Sequence, residues 1–516
     1  MALFEQKSPL LPQLISWQGK WSANKTAVIF NHRRTSYKRF DQVTNQVANY
    51  LLANNIGAQS RVVVMMENSD TMLFALFGVI KSGATVVPLN LSISDEAVAV
   101  QIDDCDADCI IASSPQSVRL DGLIAQGKLN ANRLLIAPQP QNARWYDWQE
   151  LIVEASDGDP GVLVTDNDEC NIIYSSGTTG APKGILHGHR ARLDWAYDLV
   201  PALRINSDTL SICSLGLYSN ISWVSLLCNL VAGGCVLIQE KFNSEEFCQL
   251  VKRYQVNHCA GVPIQFQRIL DSKDYNSEQL KSLRTIMSCG SPLSTAMKIR
   301  LARNLSADLI ELYGLTEGVI TTLAPEDASK YSDSVGKPLV GSSLRILKDN
   351  DELAEQGEVG EIIVRGRFLM SGYLGKPEAD REASWRDQDG NIWLRTGDIG
   401  RINSEGFLYL VDRKKDMIIS GGQNIYPQDL ERVLLRQPGV AEAAVIAVPS
   451  DKWGETPLGL VVMNEDSTDE RDILEQSNRE LGKQQKISRV VIVQSLPRNP
   501  NGKIEKKRLR EIYSKF

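Results

Sequence analysis

The chain has 516 residues, 43% of them hydrophobic, which suits a globular protein of roughly three domain-sized units. Its formal net charge of −7 argues against nucleic acid or an anionic membrane as the main partner. Nine scattered cysteines, an odd number, fit a reducing compartment better than a disulfide framework. Residues 1–13 lack the basic and apolar regions of a signal peptide, so we expect a cytoplasmic protein.

Strands and helices alternate in the N-terminal part of the chain. The residue pattern predicts strands at 26–30, 61–66 and 85–89, with helices at 41–54 and 72–81 between them. Strands and helices at this spacing form βαβ units, so we expect largely parallel sheets covered on both faces.

The segment 174–184, which reads Tyr-Ser-Ser-Gly-Thr-Thr-Gly-Ala-Pro-Lys-Gly, follows an apolar strand and resembles a phosphate cradle. Its hydroxyl groups, backbone N–H groups and lysine are what a triphosphate needs. It is not a Walker A loop, because Pro182 precedes Lys183 and Gly184 follows it. A flexible linker is the alternative, but linkers do not usually end in Pro-Lys-Gly. The predicted phosphate-binding residues are Ser175, Ser176, Gly177, Thr178, Thr179, Gly180 and Lys183.

Residues 221–238 form the most apolar window, but they do not predict a membrane span. Asn229 and the pair Gly233-Gly234 interrupt the window. The pattern instead fits a buried helix through Ala232, a glycine stop, and a short strand at 235–238. We therefore expect no integral membrane segment.

Two later turns follow predicted strands. The strand at 283–288 ends in Cys289-Gly290-Ser291-Pro292, a turn that a flat ligand could approach closely. After the strand at 309–311, an aromatic, a hydroxyl and a carboxylate residue lie within 312–318, as in a site for a base, a phosphate and a divalent cation. A plain strand-to-turn junction is an equally open reading of 312–318.

The composition changes to strands and turns from Gly357 onward. Strands at 361–365, 393–398 and 407–411 indicate a β-rich lobe, and the charged run 412–416 suits a hinge. The remaining residues, with helices at 428–437 and 468–482 and strands at 443–448 and 458–463, predict a small α/β domain. Near its end, proline and glycine residues present Lys503 on a tight exposed turn.

Together these motifs resemble the adenylate-forming superfamily of acyl-CoA and aryl-CoA synthetases, luciferases and peptide-synthetase adenylation domains. The resemblance covers nearly the whole chain and rests on 174–184, 313–317, 395–398, 412–427 and 497–503. It implies an α/β fold. A large N-terminal domain, residues 1–414, would contain βαβ sheet subdomains and the β-rich lobe, and a small mobile α/β C-terminal domain, residues 415–516, would carry the catalytic lysine.

The resemblance also implies two half-reactions. A carboxylic acid and ATP give an acyl-adenylate and pyrophosphate, and a thiol then accepts the acyl group. The resemblance implies that Thr178, Thr179 and Lys183 bind the triphosphate and that Glu317, beside the catalytic Thr316, ligates Mg²⁺. Tyr313 with Gly314, and the turn formed by Gly290, Ser291 and Pro292, would contact the adenine. Asp398 and Arg413 would bind the ribose, and Lys503 would bridge the acyl and phosphate oxygens.

Coenzyme A is the predicted thiol. Ser420-Gly421-Gly422 and the segment 451–455 are similar to the CoA-ligase versions of these segments, in which the glycines line the pantetheine tunnel and Trp453 lies on the face closed around the thiol. A packing role for Trp453 is the alternative. Loading of a separate carrier protein is a second reading of the function, and ATP binding without catalysis is a third, against which Lys503 and Glu317 argue.

The acid pocket is expected to draw its walls from 218–223, 260–265, 288–290 and 318–321, with Tyr218, Trp223, Gly261 and Gly318 as substrate-binding residues. These apolar residues favour a medium-chain fatty or aromatic acid. Ser219 stands where many CoA ligases have an aromatic residue or histidine, so any gate must be Tyr218 or Trp223, or be absent. The segment lacks the aspartate that would hold an amino acid, and a homodimer is compatible with the sequence.

Overall fold

The structure is a computed structural model that describes residues 9–175, 182–273, 275–420, 423–450, 453–464, 469–482, 485–499 and 502–513. The chain forms two compact units. The first comprises Met1–Ser329, Pro338–Ser342 and Gly366–Glu382. The second comprises Lys330–Lys337, Ser343–Arg365 and Ala383–Phe516.

Helices and strands alternate up to Ala328, as predicted. In chain order they are α1 (Leu11–Trp21), β1 (Thr26–Phe30), β2 (Arg33–Ser36), α2 (Tyr37–Ala53), β3 (Arg61–Met65), α3 (Asp70–Lys81), β4 (Thr85–Pro88), α4 (Asp95–Asp104), β5 (Cys109–Ala112), α5 (Ser114–Ala125), β6 (Leu134–Ala137), β7 (Tyr146–Asp147), α6 (Trp148–Glu154), β8 (Glu169–Ser175), β9 (Lys183–Gly188), α7 (His189–Ala202), β10 (Leu210–Cys213), α8 (Asn220–Ala232), β11 (Cys235–Ile238), α9 (Ser244–Tyr254), β12 (His258–Gly261), α10 (Pro263–Asp271), β13 (Thr285–Ser288), α11 (Thr295–Asn304), β14 (Asp308–Leu315), β15 (Gly318–Leu323) and α12 (Pro325–Ala328), with a short 3₁₀ turn at Ser277–Gln279.

Strands dominate the middle of the chain, and the C-terminal part is again mixed. The elements are β16 (Lys337–Pro338), β17 (Ser342–Leu347), β18 (Gly360–Gly366), β19 (Gly372–Tyr373), α13 (Pro377–Glu382), β20 (Ser384–Arg386), β21 (Ile392–Ile402), β22 (Leu408–Arg413), a 3₁₀ turn at Lys414–Asp416, β23 (Ile418–Ser420), β24 (Gln423–Ile425), α14 (Pro427–Leu434), β25 (Val440–Ser450), β26 (Gly454–Met463), α15 (Glu470–Glu480), β27 (Arg489–Ile492) and α16 (Lys506–Tyr513).

Two mixed sheets form the first unit. One has eight strands in the order β19-β9-β8-β4-β3-β5-β6-β7, and the other has nine in the order β16-β15-β14-β13-β12-β10-β11-β1-β2. Strands β4, β3, β5 and β6 are parallel neighbours, and so are β14, β13, β12, β10 and β11. Because parallel strands end at the same edge, the loops that follow them are brought side by side.

Both faces of the eight-stranded sheet are covered, as the apolar runs predict. Along β3, Val62 and Val64 belong to one buried cluster, whereas Val63 and Met65 belong to another. All four side chains are fully buried. Alternate residues of a strand point to opposite faces, so each face packs against its own layer of helices.

Two helices begin earlier than the apolar periodicity predicts, because a serine caps each of them. Ser36 Oγ accepts a hydrogen bond from the Arg39 N–H at the start of α2, and Ser69 Oγ accepts one from Met72 N–H at the start of α3. The end of α8 is where the sequence places it. Gly233 has a φ of 70°, which favours glycine and terminates the helix before β11.

The second unit contains two five-stranded sheets. In one the order is β17-β18-β21-β20, with β22 paired to β21, and in the other it is β24-β23-β26-β25, with β27 paired to β26. The second sheet packs Leu430 of α14 and Ile473 of α15 against one face and Leu509 of α16 against the other. This is the small α/β arrangement predicted for the C-terminal residues.

The nine cysteines all lie within the described residues, and none of them forms a disulfide. Eight are buried and Cys235 is partly buried. Burial raises the pKa of each thiol, to about 11 at Cys248 and to about 12 at Cys289. Among the described helices, none is both long enough and apolar enough to cross a bilayer.

Candidate active site

The predicted phosphate loop joins β8 to β9 at the carboxyl end of β8. Ser175, the last residue of β8, pairs in register with Lys183, the first residue of β9. Since β8 is parallel to β4, the loop leaves the sheet at the edge where ligands commonly bind. The rest of the loop lies outside the described residues, and that part includes Ser176, Gly177, Thr178, Thr179 and Gly180.

The segment 312–318 is a β-hairpin, because the strand predicted at 309–311 continues to Leu315. Strand β14 continues through Tyr313 and Gly314 to Leu315, because it pairs antiparallel with β15 up to the pair Leu315↔Gly318. Thr316 and Glu317 form the two-residue turn between the strands. The hydroxyl and the carboxylate are therefore held at the tip of a rigid hairpin, with partly exposed side chains.

Tyr373 of β19 connects Glu317 with Lys183. Its hydroxyl donates a hydrogen bond to Glu317 Oε1 at 2.9 Å, and Lys183 Nζ lies 4.8 Å from the centre of its ring. Burial and the neighbouring Glu317 raise the pKa of Tyr373, so the phenol keeps its proton. The sequence analysis missed Tyr373. Its only signal in the sequence is that a tyrosine directly follows Gly372.

A buried histidine, His187, contacts the backbone of the same hairpin. His187 Nε2 lies 2.9 Å from the carbonyl oxygen of Thr316, and His187 Nδ1 lies 3.3 Å from Arg192 Nη2. Burial, and after it the charge of Arg192, lowers the pKa of His187 well below its usual value. Sequence reasoning missed this contact, because nothing in the spacing of the two residues indicates it.

Glycines at the carboxyl ends of β12 and β13 adjoin one another. The Cys289 N–H donates to the Gly261 carbonyl at 3.1 Å, and Gly290 follows with a φ of 88°. A Cβ on Gly290 would lie 3.0 Å from Ile221 Cδ1 of α8 and 3.3 Å from Val262 Cγ1. The backbone, followed by Ser291 and Pro292, thus approaches an apolar wall closely, and its positive φ favours glycine at this position.

Gly318, the fourth predicted substrate-binding residue, begins β15 and is buried against Leu369. A side chain at this position would collide with Leu369. The close approach of Leu369 Cδ2 is a packing reason for glycine at this position. A substrate contact of Gly318 stays a prediction.

Ser219 has a structural role that explains its place in this sequence. It is the N-cap of α8, and its Oγ accepts a hydrogen bond from the Ile221 N–H at 3.3 Å. Trp223, one turn further on, is 1% exposed, and its indole N–H donates to the Leu217 carbonyl at 3.0 Å. Tyr218 is partly buried, and burial raises its pKa. Of the two predicted gate residues, Tyr218 therefore has the more accessible side chain.

Asp398 and Arg413 lie opposite each other on β21 and β22 of the second unit. They are paired in the strand register, and Arg413 Nε is 3.3 Å from Asp398 Oδ1. Asp398 is 6% exposed, whereas Arg413 is partly exposed. The two residues predicted to bind a ribose are thus adjacent on one sheet.

Lys503 is close to this pair and is partly buried, so the exposed turn expected from the sequence is wrong. The Lys503 N–H donates to Asn499 Oδ1 at 2.9 Å, and Gly502 takes a φ of 79° within the turn. Burial lowers the pKa of Lys503 to about 7, and the charge of Arg413 adds to the lowering while Asp398 opposes it. An ammonium group with a pKa near 7 at a predicted active site is a candidate catalytic group.

The charged run 412–416 is paired within the second unit. Lys414 Nζ lies 3.0 Å from Glu361 Oε2, and Arg510 Nη2 lies 2.7 Å from Asp416 Oδ1. Asp412 is buried and accepts a hydrogen bond from the Gln428 N–H at the start of α14. The run therefore links β22 to helices of the C-terminal region, and its role as a hinge stays a prediction.

The two segments predicted to serve coenzyme A meet on one sheet. Ser420 at the end of β23 pairs with Gly454 at the start of β26, and the Ile419 N–H donates to Glu455 Oε2 at 3.0 Å. Trp453 is 50% exposed, and its choice between thiol side and packing role stays a prediction. Gly421 and Gly422 lie outside the described residues.

Comparison with known proteins identifies the family of this chain. The model of the AMP-binding enzyme family matches residues 15–374, and that of the AMP-binding enzyme C-terminal domain matches 429–503. The chain belongs to the AMP-binding enzyme family. It is 30% identical over 93% of both chains to the long-chain-fatty-acid–CoA ligase FadD13 of Mycobacterium tuberculosis, and 30% identical to the indoleacetate–CoA ligase of Aromatoleum aromaticum, over 95% of this chain and 96% of that protein.

The fold of the AMP-binding enzymes is also found in solved structures. ATP-bound MatB from Rhodopseudomonas palustris superposes with a TM-score of 0.89 at 26% identity, over 98% of this chain and 99% of that one. The predicted fold class, a large N-terminal domain of α/β sheets and a small C-terminal domain, is confirmed. The chain lies in the acyl-CoA and aryl-CoA synthetase branch predicted from its motifs. The boundary between 414 and 415 stays a prediction.

The donor set suits Mg²⁺ held jointly with a nucleotide. Among the described residues, no group of three or more His, Cys, Asp or Glu side chains could enclose a metal. Mg²⁺ usually takes one or two carboxylates and fills its other positions with phosphate oxygens and water. Glu317 offers one such carboxylate at the hairpin tip, where Tyr373 holds only its Oε1.

Proposed function

We propose that this AMP-binding enzyme activates a medium-chain fatty or aromatic carboxylic acid as an acyl-adenylate and transfers the acyl group to coenzyme A. The observation that carries the proposal is the cluster of Lys503 with Asp398 and Arg413. A lysine that is desolvated beside a nucleotide-binding pair is suited to a reaction in which negative charge collects at the α-phosphate.

The triphosphate and its metal are assigned to residues of the first unit. Lys183 and the loop 175–180 hold the triphosphate, and Glu317 with phosphate oxygens would hold Mg²⁺, which neutralises phosphate charge when it is bound. Tyr373 orients Glu317 through its hydrogen bond to Oε1. Tyr313, with Gly314 and the turn Gly290 to Pro292, flanks the adenine.

Lys503 acts in the first half-reaction. It places its cation between the carboxylate of the acid and the α-phosphate, where the two anions would otherwise repel each other. Asp398 and Arg413 hold the ribose and so fix the α-phosphate relative to this lysine. Pyrophosphate leaves toward Lys183.

The second half-reaction joins the acyl group to the thiol of coenzyme A. The pairing of Ser420 with Gly454 supports this acceptor, because it brings together the ends of the two segments predicted to serve coenzyme A. An indole that is 50% exposed offers a flat apolar surface to a pantetheine chain.

The residues around Gly290 support the proposed acid class. Ile221 and Val262 approach it with apolar atoms, and Tyr218 offers a partly buried aromatic ring. An apolar wall of this kind favours a hydrocarbon chain or an aromatic ring over a charged tail. Among the relatives, FadD13 is named a long-chain-fatty-acid–CoA ligase and the Aromatoleum protein an indoleacetate–CoA ligase, which supports a fatty or an aromatic acid but no particular chain length.

A pyrophosphate-release screen with Mg²⁺ and ATP tests the proposal. The acids are hexanoate to dodecanoate, benzoate, phenylacetate, malonate and glycine. We expect release with a fatty or an aromatic acid and none with malonate or glycine. Product analysis then compares coenzyme A with a phosphopantetheinylated carrier protein as acceptor. Acylation of the carrier alone, or the absence of release with every acid, would refute the proposal.

A further inference from the structure

A buried arginine contacts residues that adjoin the predicted nucleotide site and the predicted acid pocket. Arg192 of α7 is 2% exposed, and among the described residues no carboxylate forms an ion pair with it. Its guanidinium carbon lies 5.2 Å from the ring centres of both Trp195 and Trp223. A buried cation without a counter-charge is costly to keep in a fold, so its hydrogen bonds need an explanation.

Three polar side chains share this guanidinium group. Arg192 Nε donates to Asn171 Oδ1 at 2.7 Å, and Nη1 donates to Asn220 Oδ1 at 2.7 Å. Nη2 lies 3.3 Å from His187 Nδ1. Since arginine can only donate, His187 Nδ1 accepts, and the proton of the neutral imidazole is then on Nε2.

This assignment gives His187 one defined function. Its Nε2–H donates to the Thr316 carbonyl, 2.9 Å away, and a carbonyl can only accept. Thr316 precedes Glu317 at the tip of the β14–β15 hairpin. Arg192 therefore fixes the tautomer of His187, and His187 fixes the backbone beside the predicted Mg²⁺ ligand.

The hydrogen bond from Arg192 to Asn220 connects the arginine with the predicted acid pocket. Asn220 is the first residue of α8, and Ile221 after it approaches Gly290 in the apolar wall. The Arg192–Asn220 bond thus holds the first turn of the helix that carries this wall.

We propose that Arg192 is a positioning residue that sets the nucleotide site through His187 and Thr316 and the acid pocket through Asn220. This inference rests on the proposed function for the identity of the two sites. Neither Arg192 nor His187 touches a reacting group, so each acts by holding another residue in place.

Two substitutions of His187 separate its two hydrogen bonds. In His187→Gln the side-chain amide nitrogen can still donate to the Thr316 carbonyl, whereas in His187→Asn the amide oxygen can still accept from Arg192 but the donor is lost. We expect MgATP binding, measured by calorimetry without acid, to weaken about tenfold in His187→Asn, the upper range for one hydrogen bond, and to change less than about twofold in His187→Gln.

Substitutions of Arg192 and of Asn220 complete the test. Arg192→Met should weaken MgATP binding and raise the KM for the acid, each about tenfold or more. Asn220→Ala should raise the KM for the acid and leave MgATP binding unchanged. Arg190→Met is the matched control, because Arg190 lies on the same helix but pairs with the exposed Asp166, and it should alter neither quantity.

The outcomes distinguish this inference from the proposed function. The network would have only a structural role if MgATP binding weakened equally in both His187 variants. The same conclusion would follow if Arg192→Met melted at a lower temperature with unchanged MgATP affinity and acid KM. If the wild-type protein binds MgATP but releases no pyrophosphate with any acid, the proposed function fails, and the order of MgATP affinities still decides the role of His187. Absence of MgATP binding in the wild-type protein would overturn both.

Discussion

Replacement of Lys503 should separate the two half-reactions. Lys503→Ala removes the cation that would lie between the acid and the α-phosphate, and we expect the rate of acyl-adenylate formation to fall about 10² to 10³-fold. Thioester formation from supplied acyl-adenylate should be retained, because in that step AMP leaves and no carboxylate anion has to approach an anionic phosphate. Lys507→Ala is the control, since Lys507 is exposed on the following helix.

The pKa of Lys503 sets a pH dependence with a definite sign. Burial lowers this pKa from 10.5 to about 7, so the ammonium form is lost as pH rises through 7. The protonated fraction is then about nine-tenths at pH 6 and about one-tenth at pH 8. We expect kcat/KM for adenylation to fall about tenfold over this range, because kcat/KM reports the free enzyme. Bound ATP should raise the pKa and shift the fall in kcat to higher pH.

Lys503→Arg provides the internal reference for this profile. Arginine stays protonated throughout, so the variant should be less active at pH 6 but should show a flat profile apart from the titration of ATP itself. Pyrophosphate release is measured from pH 6 to 9 for both proteins, and acyl transfer from synthetic acyl-adenylate is measured in parallel. The reasoning is refuted if Lys503→Ala impairs both half-reactions equally, or if wild type and Lys503→Arg lose kcat/KM in parallel.

Three further substitutions test separate parts of the site. Tyr373→Phe keeps the ring beside Lys183 but removes the donor to Glu317, so the Mg²⁺ concentration for half-maximal activity should rise up to about tenfold; an unchanged Mg²⁺ titration would remove Tyr373 from the site. Lys415→Pro fixes φ at the predicted hinge and should slow thioester formation more than adenylation; an unchanged ratio of the two rates would place the hinge elsewhere. Asp412→Ala removes the acceptor for the Gln428 N–H at the start of α14 and should lower the free energy of unfolding by about 1 kcal/mol in urea, whereas Asp429→Ala on the same helix should cost less.

Local signals in the sequence predicted many of the elements. The helix that ends at Ala232, its glycine stop and the strand Cys235–Ile238 were all expected at these positions, because apolar runs and glycine act on neighbouring residues. Helix starts were less predictable. Ser36 and Ser69 extend α2 and α3 toward the N-terminus by capping, a signal that apolar periodicity does not contain.

The candidate site was predictable only where a motif carried it. Asp398, Arg413 and Lys503 were named from the resemblance, and the structure brings them together. Tyr373 was missed because its bond to Glu317 depends on the packing of two distant strands, which no spacing rule encodes. The burial of Lys503 was missed for a similar reason: glycine and proline indicate a turn but not what packs around it.

The buried thiols have a chemical consequence for an enzyme of this family. An acyl-adenylate is an electrophile that reacts with any thiolate within reach, and the thiolate rather than the thiol is the reactive form. Cys289 directly precedes Gly290 in the predicted pocket wall, but burial raises its pKa to about 12 and leaves it 8% exposed. At neutral pH about one such thiol in 10⁵ is ionised. Burial thereby disfavours acylation of Cys289, the cysteine next to the predicted pocket wall, by an activated acid.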